Sequence, residues 1–135
     1  MTTRNIVKQG DGRRVIVLNH LPDPELNPNK RLHWSKIAEA KRVAKEEAMA
    51  LVYQQGKPTE PYAKAHITIT WISKNKRRRD VDNLFASMKP YIDGLVASGL
   101  LVDDSADVVS YALEYRLGDE NSTRIDVEQK DRPSY

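Results

Sequence analysis

The feature that most constrains the fold is a regular alternation of apolar and polar residues over positions 109–117. The apolar positions are Val109, Tyr111, Leu113, Tyr115 and Leu117. A two-residue period places successive side chains on opposite faces of an extended chain, so it predicts a strand with one buried face. The chain must therefore form a sheet of which one face is covered.

Three further segments predict strands. Residues 15–18 form a short apolar run that ends before a proline-containing stretch, which favours a buried first strand. Residues 65–71 alternate in the same way as residues 109–117 and predict a half-buried strand. The sequence GDENS at 118–122 predicts a hairpin loop that leads to a last strand over residues 123–127.

Two helices are predicted by apolar residues that recur at three- and four-residue steps. The first begins near Ser35 and ends before Gly56, and the second begins near Asn83 and ends near Gly99. Pro90 inside the second helix should remove one backbone hydrogen bond and bend it. The order β-α-β-α-β-β predicts an α+β fold with one mixed sheet and two helices.

Length and composition indicate a single domain. The 135 residues are near the usual size of one domain, so we expect one domain over 1–135, with residues 1–12 and 130–135 flexible. The chain has no cysteine, which excludes disulfides and thiolate metal sites and fits a reducing cytoplasm. It contains neither a run of about 20 apolar residues nor an apolar N-terminal segment, so we expect a cytoplasmic protein with no membrane span.

Charge is distributed unevenly along the chain. The net charge of +3 is too small to indicate a nucleic-acid partner by itself. However, a basic run directly precedes one acidic group at 80–82, and a second acidic group lies at 103–107. Basic side chains can hold the phosphates of DNA, which makes these residues candidate DNA contacts. They are Lys74, Lys76, Arg77, Arg78 and Arg79.

The aspartates form a candidate magnesium site. Mg²⁺ prefers oxygen ligands and is usually held by a few carboxylates together with substrate phosphates. Asp80 and Asp82 follow the second strand two residues apart, so their side chains leave on the same side if that strand persists. The second helix then returns the chain toward the sheet, which brings back the Asp103–Asp104 pair.

Lys89 is a candidate catalytic residue. At 100° per residue, Lys89 and Asp93 lie on the same helical stripe as Asp82. An ammonium group there can stabilise charge that develops on a phosphate, while Asp93 holds it from the i+4 position.

Each of these residues also has an ordinary structural explanation. Asp82 or Asn83 is a good helix N-cap, and the Asp103–Asp104 pair suits a turn. A basic run is usually a solvated loop, and Lys89 alone is most often a solvated side chain. The functional interpretation rests on the conjunction of all these features within about thirty residues. The three histidines, at 20, 33 and 66, lack metal-ligand spacing and are predicted to be structural or solvent-facing.

The segments RRRDVDNL, KPYIDGL and GLLVDDS, within residues 77–105, resemble the signature of the RusA-type Holliday-junction resolvases. By that resemblance Asp80, Asp82 and Asp104 match the metal-binding carboxylates and Lys89 matches the catalytic lysine. In the shorter form of the family pattern the lysine falls where this chain has Ala86, so the match implies a three-residue insertion. The segment LNPNKRLHW at 26–34 resembles an Asn-rich segment that precedes the first helix in members of the same group. Lys30 and Arg31 in this segment are candidate DNA contacts, and a structural role for the segment is the alternative.

The resemblance implies a Mg²⁺-dependent endonuclease that acts as a homodimer. It would cut four-way DNA junctions by paired phosphodiester hydrolysis during DNA recombination and repair. Two alternatives stay open: a nuclease of the same chemistry that acts on other branched DNA, and a noncatalytic DNA-binding protein in which the aspartates only cap and turn.

Overall fold

Residues 12–56 and 58–130 are described by a computed structural model of the protein. Its strands are β1 (Arg13–Leu18), β2 (Ala65–Ser73), β3 (Val109–Leu117) and β4 (Ser122–Gln129). Its helices are α1 (Trp34–Gln54), α2 (Val81–Ala86) and α3 (Lys89–Ala97), with a short 3₁₀ turn at Pro24–Leu26. The predicted α+β class and the order β-α-β-α-β-β are confirmed, with α2 and α3 together forming the second helical unit.

The predicted flexible ends lie almost entirely outside the described residues. At their inner edges, the Gln129 amide donates to the Gly12 carbonyl at 2.7 Å and the Lys130 amide donates to the Lys64 carbonyl at 2.9 Å. Within the described part of the chain, no helix is both long and apolar enough to cross a membrane.

The sheet is mixed and its strand order is β1-β4-β2-β3. β2 and β3 are parallel, and β4 lies antiparallel between β1 and β2. The predicted hairpin between β3 and β4 is therefore wrong, because these two strands are not neighbours. The α2–α3 unit is the crossover that a parallel β2–β3 pair requires.

The loop between β3 and β4 crosses the end of β2. The Gly118 amide donates to the Ser73 carbonyl at 2.9 Å. A Cβ atom added at Gly118 would lie 2.5 Å from Cγ2 of Ile72, so this close passage requires glycine. The turn residues that suggested a hairpin instead make a wider connection over β2.

The core lies between one face of the sheet and the helices α1 and α3. Ile67, Ile69 and Trp71 on β2 are fully buried, as their alternation predicts. The facing side of α1 presents small residues, Ala44 and Ala48 among them, which lets the helices pack close to the sheet and to each other.

Close packing of α1 against α3 depends on Gly94. A Cβ atom at this position would lie 2.8 Å from Cβ of Ala48 and would also meet the Lys45 carbonyl. Glycine to alanine inside a helix normally stabilises it by up to about 1 kcal/mol. We expect the opposite for Gly94→Ala, a loss of about 1–3 kcal/mol in the free energy of unfolding, because the added methyl overpacks the contact. Urea denaturation measures this; an unchanged or higher midpoint would show that the helices can separate without loss.

The second helical unit is interrupted before Pro90. Ser87 and Met88 separate α2 from α3, and the Met88 amide donates to Phe85 rather than to the residue four positions back. Pro90 lies in the first turn of α3, where a missing N–H is tolerated. The predicted disturbance at Pro90 is present, but it divides the unit into two helices instead of bending one.

Candidate functional site

The basic run forms an exposed loop between β2 and α2, here called the basic loop (residues 74–79). Its backbone is fixed by asparagine side chains. The Lys74 amide donates to Oδ1 of Asn121 at 2.9 Å, and Oδ1 of Asn75 accepts from the Arg77 amide and from Nη2 of Arg79, both at 3.3 Å. Most of the cationic side chains stay exposed to solvent while the loop that carries them is held in place.

Neither asparagine was singled out from the sequence. Asn75 falls within the basic run, and its capacity to bond a nearby backbone amide is the usual signal of a turn. Asn121 belongs to the connection that was predicted to be a hairpin loop. Its contact with Lys74 depends on that connection crossing over β2, which local sequence does not reveal.

A cleft of about 640 Å³ lies between the basic loop and the segment before α1. Arg77, Arg78 and Arg79 line one wall together with Asp80, and Lys30 lines the other. The rest of the lining consists of Leu21, Pro22, Asp23, Pro24, Asn27, Asn83, Leu84, Ser87 and Asn121. The cleft thus brings together four of the seven predicted DNA contacts and the first predicted metal ligand.

The remaining predicted DNA contacts lie outside this lining. Lys74, Lys76 and Arg31 are exposed. They flank the segments that form the cleft walls and add positive charge around it. Trp34 follows Arg31 closely and is 74% exposed at the start of α1.

Asp80 and Asp82 do not extend from a strand. β2 ends at Ser73, so the argument that they share one side of a persisting strand is wrong. Asp80 occupies the N-cap position of α2 but its carboxylate makes no capping hydrogen bond. It lies 3.9 Å from Nε of Arg78, and both side chains are more than half exposed.

The capping alternative for Asp82 is also wrong. Asp82 lies in the first turn of α2, where its Oδ1 accepts from the Asn83 amide at 3.0 Å. Neither Asp82 nor Asn83 is the N-cap. The carboxylates of Asp80 and Asp82 therefore both lie on the surface at the N-terminal end of α2, and neither makes a helix-capping hydrogen bond.

An ionic cluster of Lys89, Asp93 and Asp104 forms at the start of α3. Nζ of Lys89 donates to Oδ1 of Asp93 at 2.8 Å and also to Oδ2 of Asp104. The predicted i+4 contact of Lys89 with Asp93 is present, and the chain after α3 does bring Asp104 back beside the helix. The predicted common stripe with Asp82 rested on one continuous helix, and the break at Ser87 and Met88 removes that basis.

Charge pairing in the ionic cluster perturbs both titrating partners. The hydrogen bond with Asp104, followed by that with Asp93, raises the pKa of Lys89. The same bond from Lys89 lowers the pKa of Asp104, while burial opposes that shift. Lys89 is therefore an ammonium and Asp104 a carboxylate at every physiological pH.

The neighbouring aspartates Asp103 and Asp104 have different environments. Oδ1 of Asp103 accepts from the Asp104 amide at 2.8 Å, and the Asp103 residue is exposed. The Asp104 side chain is 22% exposed and faces Lys89. Asp103 thus fits the predicted turn role, and Asp104 is the member of the pair that faces the cluster.

Tyr111 adds an aromatic neighbour that the sequence did not single out. Its ring packs edge to face on Phe85, with ring centroids 4.9 Å apart. Burial raises the pKa of Tyr111, and the negative charge of Asp104 raises it further. Tyr111 therefore lies within electrostatic reach of the ionic cluster, at a position predicted only to be the buried side of β3.

The fit of these residues to Mg²⁺ is favourable in chemistry and incomplete in geometry. Asp80, Asp82 and Asp104 supply only oxygen ligands, which Mg²⁺ prefers. Among residues 12–56 and 58–130, however, no group of three or more acidic or histidine side chains is arranged to hold a metal ion. One oxygen of Asp104 is bonded to Lys89, so metal binding there requires this ion pair to open or to share the carboxylate.

The histidines have structural contacts, in agreement with their predicted role. Nδ1 of His33 accepts from the Ser35 amide at the start of α1, and Nδ1 of His66 lies 2.7 Å from the Ser110 hydroxyl. His20 lies between two acceptors, the Leu21 carbonyl and the Glu47 carboxylate. It links the segment before the cleft wall to α1.

His20 gives the fold a pH dependence. Burial lowers the pKa of His20, but the hydrogen bonds to Leu21 and Glu47 outweigh it and the net shift is upward. A raised pKa in the folded state means that this contribution to stability is complete below about pH 6.5 and is lost as pH rises through the folded-state pKa. We expect the free energy of unfolding of the His20→Gln variant to fall less between pH 6 and 9 than that of the wild type. His66→Gln is the control, and parallel pH profiles for all three proteins would contradict the assignment.

The comparisons with known proteins assign no family. No protein family model matches the chain. A protein of Xylella fastidiosa strain Temecula1, described as uncharacterized, is 31% identical over 88 residues, which are 62% of this chain and 56% of that protein. The chain thus spans little more than half the length of this relative, and the relative's description names no activity.

Proposed function

We propose that this protein is a Mg²⁺-dependent endonuclease for branched DNA, of the kind that the resemblance to RusA-type resolvases implies. The observation that carries the proposal is the cleft. It brings Lys30 from one segment and Arg77, Arg78 and Arg79 from another to the same opening as Asp80. A cation-lined cleft with a carboxylate at its edge suits a phosphodiester substrate.

The basic side chains would bind and orient DNA. Arginine forks hold phosphate oxygens in pairs, and each phosphate that is neutralised releases counterions. Because Asn75 and Asn121 fix the backbone of the basic loop, the arginine side chains leave the loop from defined positions. These contacts would place a phosphate near the N-terminal end of α2, beside Asp80 and Asp82.

In the proposed reaction the acidic groups bind the metal ion and the basic group stabilises negative charge. Asp80, Asp82 and Asp104 would hold Mg²⁺, which when bound supplies coordination of the scissile phosphate and lowers the pKa of an attacking water. Lys89 would release Asp104, remain held by Asp93, and turn its ammonium to the charge that develops on the phosphate. The ion pair of Lys89 with Asp104 thus holds both groups in place before substrate arrives.

The finer parts of the proposal come from the family resemblance. They are the four-way junction as substrate, a homodimer that nicks two strands symmetrically, and a role in DNA recombination and repair. Two-fold symmetry of the protein would match that of the junction. The absence of cysteine supports a cytoplasmic location as part of the same proposal.

One observation favours a noncatalytic DNA-binding protein as the second candidate. Lys89 pairs with both Asp104 and Asp93, and within the described residues the three proposed ligands are not assembled into a metal site. In that case the cleft would bind DNA and the ionic cluster would only stabilise the start of α3.

A cleavage assay on defined DNA structures separates the candidates. Purified protein with Mg²⁺ is given a four-way junction, a flap, a replication fork and a linear duplex, with Asp82→Asn as the control. We expect metal-dependent, paired nicking of the junction by the wild type alone. Equal cutting of flaps and forks would favour the broader nuclease, and tight binding without any cutting would favour the noncatalytic protein.

A further inference from the structure

β3 is an edge strand whose outer edge is open to pairing with another strand. It is the last strand in the order β1-β4-β2-β3, so its outer edge has no neighbouring strand among the described residues. The sequence VSYALEYRL contains no proline, and the strand pairs with β2 through all nine residues without a bulge. Natural edge strands usually carry a proline or a bulge that blocks pairing, because an open edge is a template for another strand.

Two leucines near the end of β3 are exposed on the face that should be buried. The register aligns Ile69 with Leu113 and Ser73 with Leu117, so the leucines share the face of β2 that packs on the helices. Leu113 is nevertheless 38% exposed and Leu117 is 51% exposed. Within the described part of the chain, this end of β3 therefore presents apolar surface to solvent.

The opposite face of the same segment carries unpaired charges of both signs. Glu114 and Arg116 are exposed, and within the described residues neither forms an ion pair. Glu114 precedes Tyr115 and Arg116 follows it, and the exposed Leu113 and Leu117 lie one position further out on each side. The segment is therefore self-complementary about Tyr115.

We propose that β3 pairs antiparallel with β3 of a second copy of this chain, with the two-fold axis at Tyr115. Leu113 then lies opposite Leu117 of the other copy, and Glu114 lies opposite Arg116 of the other copy. Symmetry makes each contact twice, and directly opposite residues share a face of the sheet. The result is one continuous eight-stranded sheet.

Charge excludes the neighbouring registers. An axis at Glu114 would place the two Glu114 carboxylates opposite each other, and an axis at Arg116 would do the same with the guanidinium groups. An axis at Leu113 would place Glu114 opposite Ala112 and leave both charges unpaired. Of these registers, only the axis at Tyr115 places leucine opposite leucine and pairs each glutamate with an arginine.

This inference deepens the proposed function, because two joined copies would present two clefts in a fixed relation to one branched substrate. Only the biological role of the dimer, not the strand pairing, rests on the proposed function. The pairing itself is a property of the free protein and is measured without DNA.

Charge reversal tests the pairing by sedimentation equilibrium. We expect the wild type to be a dimer and Glu114→Arg and Arg116→Glu each to raise the dimer dissociation constant about tenfold or more, because like charges then face each other twice. The double variant should dimerise again. An equimolar mixture of the two single variants should also dimerise, because each supplies the charge that the other lacks. Circular dichroism confirms that every variant is folded.

The opposite results are equally clear. A monomeric wild type, or a dimer that both single reversals leave intact, overturns the pairing through β3. A monomer that cuts branched DNA would overturn the pairing and leave the nuclease standing. A dimer that responds to charge reversal as expected but never cuts DNA would support the pairing and overturn the nuclease.

Discussion

Asp104→Asn is expected to lower the rate of junction cleavage by roughly 100-fold or more while junction binding is retained. The substitution keeps the size of the side chain and removes the charge that both Lys89 and a metal ion would use. The Asp104 carboxylate faces Lys89, and the cationic residues that line the cleft are unchanged. Single-turnover cleavage with saturating Mg²⁺ measures the rate, and a gel-shift titration in Ca²⁺ measures binding.

Asp103→Asn is the matched control for that experiment. It makes the same chemical change one residue away, on an exposed side chain that bonds a backbone amide in the turn. We expect its cleavage rate to stay within about threefold of the wild type, as for most surface substitutions away from a site. Equal losses for both variants would mean that the turn, and not the Asp104 carboxylate, is what matters.

Removing two arginines of the cleft is expected to weaken DNA binding strongly and to flatten its salt dependence. If Arg77 and Arg78 each neutralise one phosphate, the double alanine variant should lower the slope of log affinity against log salt by roughly 2. The loss in affinity should be largest at low salt. Fluorescence anisotropy with a labelled junction at several salt concentrations gives both quantities.

A second double variant controls for total charge. Lys41→Ala with Arg42→Ala removes the same number of cations from an exposed part of α1, where Arg42 is already paired with Glu39 and Glu46. We expect little change in its salt slope. If both double variants bind equally weakly, net charge rather than the cleft sets the affinity, and the proposed binding surface is wrong.

The secondary structure was accessible from the sequence because it depends on local periodicity. The alternation at 65–71 and 109–117 and the stepped apolar residues of the first helix correspond to β2, β3 and α1. Periodicity indicates which side of an element faces the core, but the predicted burial of that side is wrong at the end of β3, where Leu113 and Leu117 are exposed. It does not indicate which strands are neighbours, so the position of β4 between β1 and β2 was missed.

The candidate site was predicted where it depends on helix spacing and missed where it depends on tertiary contacts. The i+4 contact of Lys89 with Asp93 follows from helical geometry. The argument for Asp80 and Asp82 assumed that β2 continues, but the basic run after Ser73 leaves the sheet. The opposite wall of the cleft comes from a distant segment, and its position is set by the packing of the whole domain.

The place of β4 has a consequence for how the protein is made. Among the described strands, β1 joins the rest of the sheet only through β4, and the ion pair between Arg13 and Asp126 links residues 113 positions apart. During synthesis β1 therefore cannot pair with β4 until nearly all of the described chain has left the ribosome. Such non-local pairing is slow relative to helix formation. We expect the sheet to close late, only after β4 has been synthesised.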